Sequence, residues 1–157
     1  MSQTTLIILK PDAVQRGLMG RIIARFEDKG LTVVGAKLMQ ISQDLAAKHY
    51  GVHKERPFYA GLVRFMTSAP VLVMAIRGKE AIAVCRKLMG KTTGYEAEPG
   101  TVRGDFSSSK SYNLVHGSDS EETAKSELEL FFKKEELVDY DRDSIRWVVD
   151  TTGGKAE

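Results

Sequence analysis

The sequence is poor in the features that mark secreted, membrane-spanning and nucleic-acid-binding proteins. Its 157 residues include one cysteine, Cys85, so the chain can form neither an internal disulfide nor a thiolate-rich metal site. No apolar run approaches the length of a membrane span, and the first run, at 6–9, is too short for the core of a signal peptide. The formal net charge is only +2, without the basic excess typical of duplex binders. We therefore expect a cytoplasmic protein that binds no membrane and no nucleic acid.

The composition that remains suits a compact fold. Hydrophobic residues make up 42% of the chain and charged residues 28%, and this length leaves little room for two cores. The last residues are small and polar. We predict a single domain over 1–150 and a disordered tail over 151–157.

Four apolar segments have the pattern of strands, and helical patterns separate them. The strand-like segments are 6–9, 33–41, 71–76 and 113–116. The helices between them are too few for a deep parallel sheet and too many for a β-sandwich. The order of elements predicts an α+β fold in which helices cover one face of the sheet.

Several residues predict where helices begin and end. Ser42 can cap one helix, Pro57 can occupy the first turn of the next, and Gly90 can end a third. Residues 118–121 fit a capping box at the start of the last helix. Residues 92–111 lack apolar periodicity, so we expect a long loop that contacts a ligand.

His116 is the strongest candidate for catalysis. It ends a predicted strand just before a helix N-terminus, where orphan N–H groups and the helix dipole attract a phosphate. A histidine is largely unprotonated at neutral pH and can act as a nucleophile. A histidine at the end of a strand is nevertheless more often packed against other residues or exposed to solvent, without a catalytic role.

Glu127 strengthens the case for His116. It follows Ala124 by three residues and precedes Phe131 by four, so helical spacing places its carboxylate at the edge of a buried stripe. A carboxylate there needs a partner, and His116 precedes the same helix. Glu127 would then hold one imidazole nitrogen while the other attacks phosphorus. The alternative is a solvated glutamate at the border of the stripe.

Three basic residues could neutralise the charge of phosphates. They are Lys10 at a strand end, Arg86 on a helix and Arg103 in the long loop; each on its own is typical of a solvated surface. Neither His49 nor His53 has carboxylate or cysteine partners at metal-ligand spacing. We therefore expect no metal site built by the protein, and any Mg²⁺ would arrive on a phosphate-bearing ligand.

Residues 113–120, Asn-Leu-Val-His-Gly-Ser-Asp-Ser, closely resemble the active-site signature Asn-x-x-His-Gly-Ser-Asp of nucleoside diphosphate kinases. The resemblance also covers shorter motifs in the family's order, at 10–17, 56–58, 99–105 and 135–138. It spans nearly the whole chain.

This resemblance implies a ferredoxin-like βαββαβ sandwich, with a four-stranded antiparallel sheet of order 4-1-3-2 covered by helices. It implies a ping-pong reaction in which the γ-phosphate of ATP or another nucleoside triphosphate passes to a nucleoside diphosphate through phosphohistidine, with Mg²⁺ as cofactor. A homo-oligomer is implied, and the Trp147-containing tail favours a hexamer over a tetramer. The family usually has Asn-Pro where Thr93-Gly94 stand here, in a loop that packs between subunits. The loss of that proline predicts a less fixed loop.

The resemblance also assigns roles to individual residues. His116 would be phosphorylated, Ser118 and Glu127 would orient it, and Tyr50 would support its surroundings. The predicted nucleotide contacts are Lys10, Phe58, Arg86, Thr92, Arg103 and Asn113. Among these, Phe58 would stack on the base and Asn113 would bind the sugar hydroxyl.

A binding module without turnover is the alternative function. Such a module, for nucleotide sensing or for nucleic acid, would use Phe58 and the basic residues but has no need of a histidine paired with Glu127. The strands are aliphatic and lack the aromatic platforms of an RNA-binding sheet.

Overall fold

The computed structural model describes residues 2–150 and 152. The prediction of one domain over 1–150 stays a prediction, and the predicted disordered tail lies outside the described residues except for Thr152. Within the described part, the strands are β1 (Ser2–Leu9), β2 (Thr32–Met39), β3 (Val71–Lys79) and β4 (Val115–Gly117). The helices are α1 (Pro11–Gln15), α2 (Met19–Asp28), α3 (Gln43–His49), α4 (Tyr59–Met66), α5 (Ala81–Met89), α6 (Val102–Phe106) and α7 (Glu121–Phe131).

The four strands form one antiparallel sheet in the order β2-β3-β1-β4. Strand β1 pairs with β3 along its whole length, and on its other side Ile8 pairs with His116 of β4. A register shift between Val33 and Gly35 interrupts the pairing of β2 with β3. The predicted α+β class and the strand order 4-1-3-2 are confirmed.

Both faces of the sheet are buried. Leu6 and Ile8 face one cluster, with residues of α3, α4 and α7, while Ile7 and Leu9 face the other, with residues of α2 and α5. All four side chains are fully buried, and each contributes about 1.5–3 kcal/mol of hydrophobic stabilisation. The expectation that helices cover one face only is wrong, because successive side chains of the continuous apolar strand β1 point to opposite faces.

The ends of several elements follow the sequence signals. Ser42 caps α3 by accepting a hydrogen bond from the N–H of Leu45 at 3.1 Å. Gly90 ends α5 with a φ of +84°, a conformation that glycine adopts without steric cost. No helix among the residues described is long and apolar enough to cross a membrane.

Other predicted boundaries are wrong. Helix α4 begins at Tyr59, so Pro57 precedes the helix instead of lying in its first turn. The cap of α7 is Ser120, whose hydroxyl accepts from the N–H of Thr123 at 3.1 Å, and Ser118 lies outside the helix. The region 92–111 is also not one long loop, because it contains α6, which Thr101 caps.

Strand β4 is shorter than predicted because of Leu114. This buried residue has a φ of +72°, which is uncommon for a residue other than glycine and ends strand geometry there. Its carbonyl accepts from the N–H of Lys10 at 2.8 Å, and its N–H donates to Oδ2 of Asp12 at 3.1 Å. The turn between β1 and α1 therefore holds the strained residue that leads into β4.

Candidate active site

A cleft of about 670 Å³ opens between α3, α4, α7 and the end of β4. This volume lies in the range of small-molecule sites. Five of the predicted site residues line it, namely His116, Glu127, Tyr50, Phe58 and Arg86.

His116 and Glu127 form the closest polar contact in the cleft. Nε2 of His116 lies 2.5 Å from Oε2 of Glu127, a contact shorter than the roughly 2.7–2.9 Å usual for a charge-assisted N–H···O bond. A carboxylate can only accept, so Nε2 carries the proton and donates it. Nδ1 of His116 has no hydrogen-bond partner among the described residues and is not fully buried. The arrangement leaves the lone pair of Nδ1 available at the cleft.

The fold explains why Glu127 is buried there. It lies on the buried stripe of α7 with Ala124 and Phe131, and only 7% of it is exposed. Strand β4 pairs with β1, and α7 packs on β1, so both partners are fixed to the same central strand.

His49 is a third member of this cluster, and the sequence analysis missed it. Its Nδ1 lies 3.6 Å from Oε2 of Glu127, and its ring meets that of His116 edge to face at 5.0 Å. Burial, and then the neighbouring His116, lower the pKa of His49 to about 4, so it is neutral at physiological pH. The expectation that His49 lacks a carboxylate partner is wrong. Local spacing could not reveal a partner that comes from another element.

Tyr50 and Phe58 provide aromatic walls. Burial, and then the charge of Glu127, raise the pKa of Tyr50, so its phenol stays protonated. The ring of Tyr50 packs edge-on to His49 with centroids 4.3 Å apart. Phe58 is 53% exposed, beside His53, so one face of its ring is open to a planar ligand.

The predicted basic residues lie near one another, around the strand that carries His116. Lys10 is buried, and its Nζ donates to Oδ1 of Asn113 at 2.7 Å. Burial, and then the charge of Arg103, lower the pKa of Lys10 to about 8. Arg86 is exposed and donates to the carbonyl of Gly117 at 3.2 Å. The mutual repulsion of these cations favours an anion between them.

Arg103 holds the backbone around β4. Its guanidinium donates to the carbonyls of Gly90, Asn113 and Val115, at 3.0, 3.2 and 2.6 Å. A guanidinium has five N–H donors, so two make no hydrogen bond within the part of the chain that the structure describes and can bind a ligand. Burial, and then the charge of Arg86, lower the pKa of Arg103 to about 10.

The other predicted site residues flank the cleft without lining it. Asn113 is buried, and its amide donates to the carbonyls of Thr92 and Lys110, each at 3.0 Å. Ser118 is buried too, but its hydroxyl has no partner within the described chain and does not reach His116. The structure therefore brings the cations and Asn113 close to the cleft through the backbone of 113–117.

Asp12 is a second residue that the sequence analysis did not assign. Its Oδ2 accepts from the N–H of Leu114, and burial raises its pKa. The carboxylate therefore stabilises the residue with positive φ two positions before His116. Its position directly after Lys10-Pro11 was the only available signal.

Side chains in the cleft that could bind a metal are of two kinds. His49, His116 and Glu127 place one ligand atom each within 4.8 Å of one another, a nitrogen-rich set. Asp119 lines the same cleft and offers carboxylate oxygen, which Mg²⁺ prefers. Asp119 therefore fits a metal carried by phosphates, whereas the nitrogen-rich set does not.

Comparison with known proteins places the chain in a family. A family model described as nucleoside diphosphate kinase matches residues 3–137. The chain belongs to the nucleoside diphosphate kinase family. The nucleoside diphosphate kinase of Carboxydothermus hydrogenoformans is 51% identical over 148 residues, which are 94% of this chain and 99% of the relative.

Solved structures of nucleoside diphosphate kinases have the same fold. The structure from Halobacterium salinarum, in complex with CDP, superposes with a TM-score of 0.92 at 47% identity, covering 94% of this chain and 99% of that one. The structure from Borrelia burgdorferi, a transition-state mimic with vanadate and ADP, has a TM-score of 0.88 at 37% identity, covering 93% and 96%. The predicted family, ferredoxin-like fold and kinase function are confirmed. The enzyme is a phosphotransferase that uses nucleotides, which implies a divalent metal.

The departure from the family's Asn-Pro at Thr93-Gly94 has a structural explanation. The N–H of Gly94 donates to the carbonyl of Ser109 at 2.9 Å, a bond that proline cannot make. A Cβ at Gly94 would lie 2.4 Å from the carbonyl oxygen of Ser107. The two sides of the loop therefore approach closely at Gly94, where a backbone hydrogen bond joins them. The lower fixity expected from the loss of proline stays a prediction.

Proposed function

We propose that His116 is the phosphorylated residue of a ping-pong nucleoside diphosphate kinase. The observation that carries this proposal is the contact of Nε2 with Glu127, which leaves the other ring nitrogen, Nδ1, available in the cleft. In the first half-reaction, His116 takes the γ-phosphate of ATP and ADP leaves. In the second, another nucleoside diphosphate takes the phosphate and leaves as the triphosphate.

The chemistry follows from the two ring nitrogens. The lone pair of Nδ1 forms the bond to phosphorus, and the bond between phosphorus and the bridging oxygen breaks, so its electrons leave with ADP. The ring becomes positively charged, and Glu127 stabilises that charge through the Nε2 proton. The reverse attack by a β-phosphate oxygen of the second nucleotide regenerates neutral His116. Imidazole is both nucleophile and leaving group, which suits an exchange between nucleotides of similar energy.

The cations would hold the phosphates during transfer. Arg86 is exposed at the cleft, Arg103 keeps two free donors, and Lys10 adds a third positive charge. Phosphoryl transfer needs positioning and neutralisation of the equatorial oxygens more than covalent help. Thr92 would add a hydroxyl donor. Its carbonyl accepts a hydrogen bond from the side-chain amide of Asn113, which holds its backbone in place.

The remaining predicted residues would select and orient the nucleotide. Phe58 would stack on the base through its open face, a contact that tolerates every base. Asn113 would bind the sugar hydroxyl, and Ser118 and Tyr50 would fix the surroundings of His116.

We propose Mg²⁺ as the divalent metal, carried by the nucleotide phosphates. Asp119 is the cleft residue whose oxygen donors fit it. When bound, the metal would neutralise charge on the phosphates.

We propose that the enzyme is a cytoplasmic homo-oligomer, and we favour a hexamer over a tetramer. Trp147 is 82% exposed and Val148 is 45% exposed in the single chain. Exposed apolar side chains close together favour a partner surface, and a second copy of the chain would supply it.

Labelling with γ-labelled ATP and Mg²⁺, followed by a chase with unlabelled GDP, tests the proposal on wild type and His116→Ala. We expect acid-labile, base-stable label on wild type that the chase moves to GTP, and none on the variant. Label that survives in His116→Ala would show that another residue is the nucleophile. Absence of label on wild type would favour the binding module.

A further inference from the structure

Three buried polar atoms beside His116 have no hydrogen-bond partner among residues 2–150 and 152. They are Nδ1 and Nε2 of His49 and Oε1 of Glu127. The side chains of these two residues are only 4% and 8% exposed. Unpartnered buried polar atoms are rare in native proteins, and several at one place indicate a bound water or ion. The proposed phosphotransfer uses Oε2 of Glu127 and leaves all three atoms without a role.

Together with His116, these two residues place their ligand atoms close enough for a metal ion to bind after small movements. Ligand atoms of His49, His116 and Glu127 all lie within 4.8 Å of one another, and Nδ1 of His49 is 3.6 Å from Oε2 of Glu127. A tetrahedral zinc ion with bonds of about 2.0–2.1 Å holds its ligands about 3.3 Å apart. The 2.5 Å contact of His116 with Glu127 is shorter than this, and Oε1 of Glu127 is available to relieve it.

The donor set indicates which metal would bind. Two imidazole nitrogens and one carboxylate oxygen suit Zn²⁺, whereas Mg²⁺ prefers six oxygens and keeps its waters. The three residues line the open cleft, which gives an ion a path of entry and leaves a fourth position for water.

We propose that His49, His116 and Glu127 form a Zn²⁺ site in the free enzyme, and that zinc bound there prevents phosphorylation. The second half of this inference rests on His116 being the nucleophile, and the first half does not.

The inhibition follows from the chemistry of imidazole. A neutral ring has one nitrogen with a lone pair and one that carries a proton. When zinc bonds to Nε2 of His116, the displaced proton moves to Nδ1 through solvent, and Nδ1 loses the lone pair that would attack phosphorus. Glu127 then binds the metal instead of the Nε2 proton. Nothing is oxidised or reduced, and release of zinc restores the nucleophile.

Zinc binding to the whole protein tests the site directly. Metal-free wild type, His49→Gln and His53→Gln would be dialysed against ZnCl₂ in the presence of Mg²⁺, and zinc counted per chain. His53 is the matched control, because it lines the same cleft outside the cluster. We expect one zinc per chain in wild type and His53→Gln, and affinity at least about tenfold weaker in His49→Gln.

A second measurement needs no variant and so does not depend on the folding of His49→Gln. X-ray absorption of the zinc-loaded wild type should show two imidazole nitrogens and one carboxylate oxygen at about 2.0–2.2 Å. Less than one zinc per chain, binding unchanged in His49→Gln, or a shell without imidazole would overturn the site and leave water as the occupant.

Phosphorylation in the same samples tests the inhibition. After removal of free zinc, we expect zinc-loaded wild type to take less label from γ-labelled ATP than metal-free wild type, and a chelator to restore it. Equal labelling with and without bound zinc would overturn the inhibition. No label on metal-free wild type would instead contradict the proposed function, while the zinc count would still decide the site.

Discussion

Replacing Glu127 with glutamine removes a charge and little volume at the centre of the site. In wild type, Oε2 accepts the proton of His116 Nε2 at 2.5 Å, and the side chain is 8% exposed. A hydrogen bond to a charged group contributes about 1.5–3 kcal/mol, and the positive ring forms only as phosphorus is attacked. We expect Glu127→Gln to slow phosphorylation by about ten- to 150-fold.

The assay is a single-turnover measurement of phosphoenzyme formation from labelled ATP. Glu129→Gln is the matched control, because Glu129 is an exposed glutamate on the same helix. Nucleotide affinity should stay within about twofold of wild type, since Glu127 faces His116 and not the phosphates. A rate within threefold of wild type, or a loss confined to nucleotide affinity, would refute the role of Glu127.

Three further predictions concern other parts of the structure. The pKa of Lys10 in the folded chain is about 8, below its ordinary value of 10.5, so the unfolded chain binds more protons between these pH values. The free energy of unfolding should therefore rise with pH over this range, by up to about 3 kcal/mol. Lys10→Met should remove this rise, as measured by urea unfolding. Gly94→Ala should lower the free energy of unfolding by about 1–3 kcal/mol, because its Cβ would meet the carbonyl of Ser107 at 2.4 Å. Gly20→Ala, with open space around its Cβ, is the control, and equal stability of the two variants would contradict the close approach. Phe58→Ala should weaken binding of every nucleotide by about 1–3 kcal/mol without changing base preference, as measured by calorimetry, and a loss for purines alone would argue against simple stacking.

The sequence predicted those parts of the fold that depend on local pattern. The apolar run of β1, the cap at Ser42 and the end of α5 at Gly90 each follow from residue types at fixed spacing. Glu127 could be placed on the buried stripe of α7 because helical periodicity decides it. The family signature around His116 supplied the fold topology that periodicity left open.

The parts that could not be predicted depend on contacts between distant elements. His49 meets Glu127 only because α3 and α7 pack on the same side of the sheet. The positive φ of Leu114 is imposed by the Lys10–Asp12 turn, and no local rule places it on a leucine. A continuous apolar strand such as β1 indicates burial on both faces of the sheet. The prediction that helices cover one face only came from the order of elements instead, and it is wrong for that reason.

The identity of the phosphorylated nitrogen decides whether His116 attacks through the ring nitrogen opposite Glu127. Wild-type enzyme phosphorylated with ATP and Mg²⁺ can be examined by ³¹P and ¹⁵N NMR with labelled histidine, which distinguishes the two ring positions. Because Nε2 is held by Glu127, we expect phosphate on Nδ1 of His116. Phosphate on Nε2, or on another residue, would contradict it.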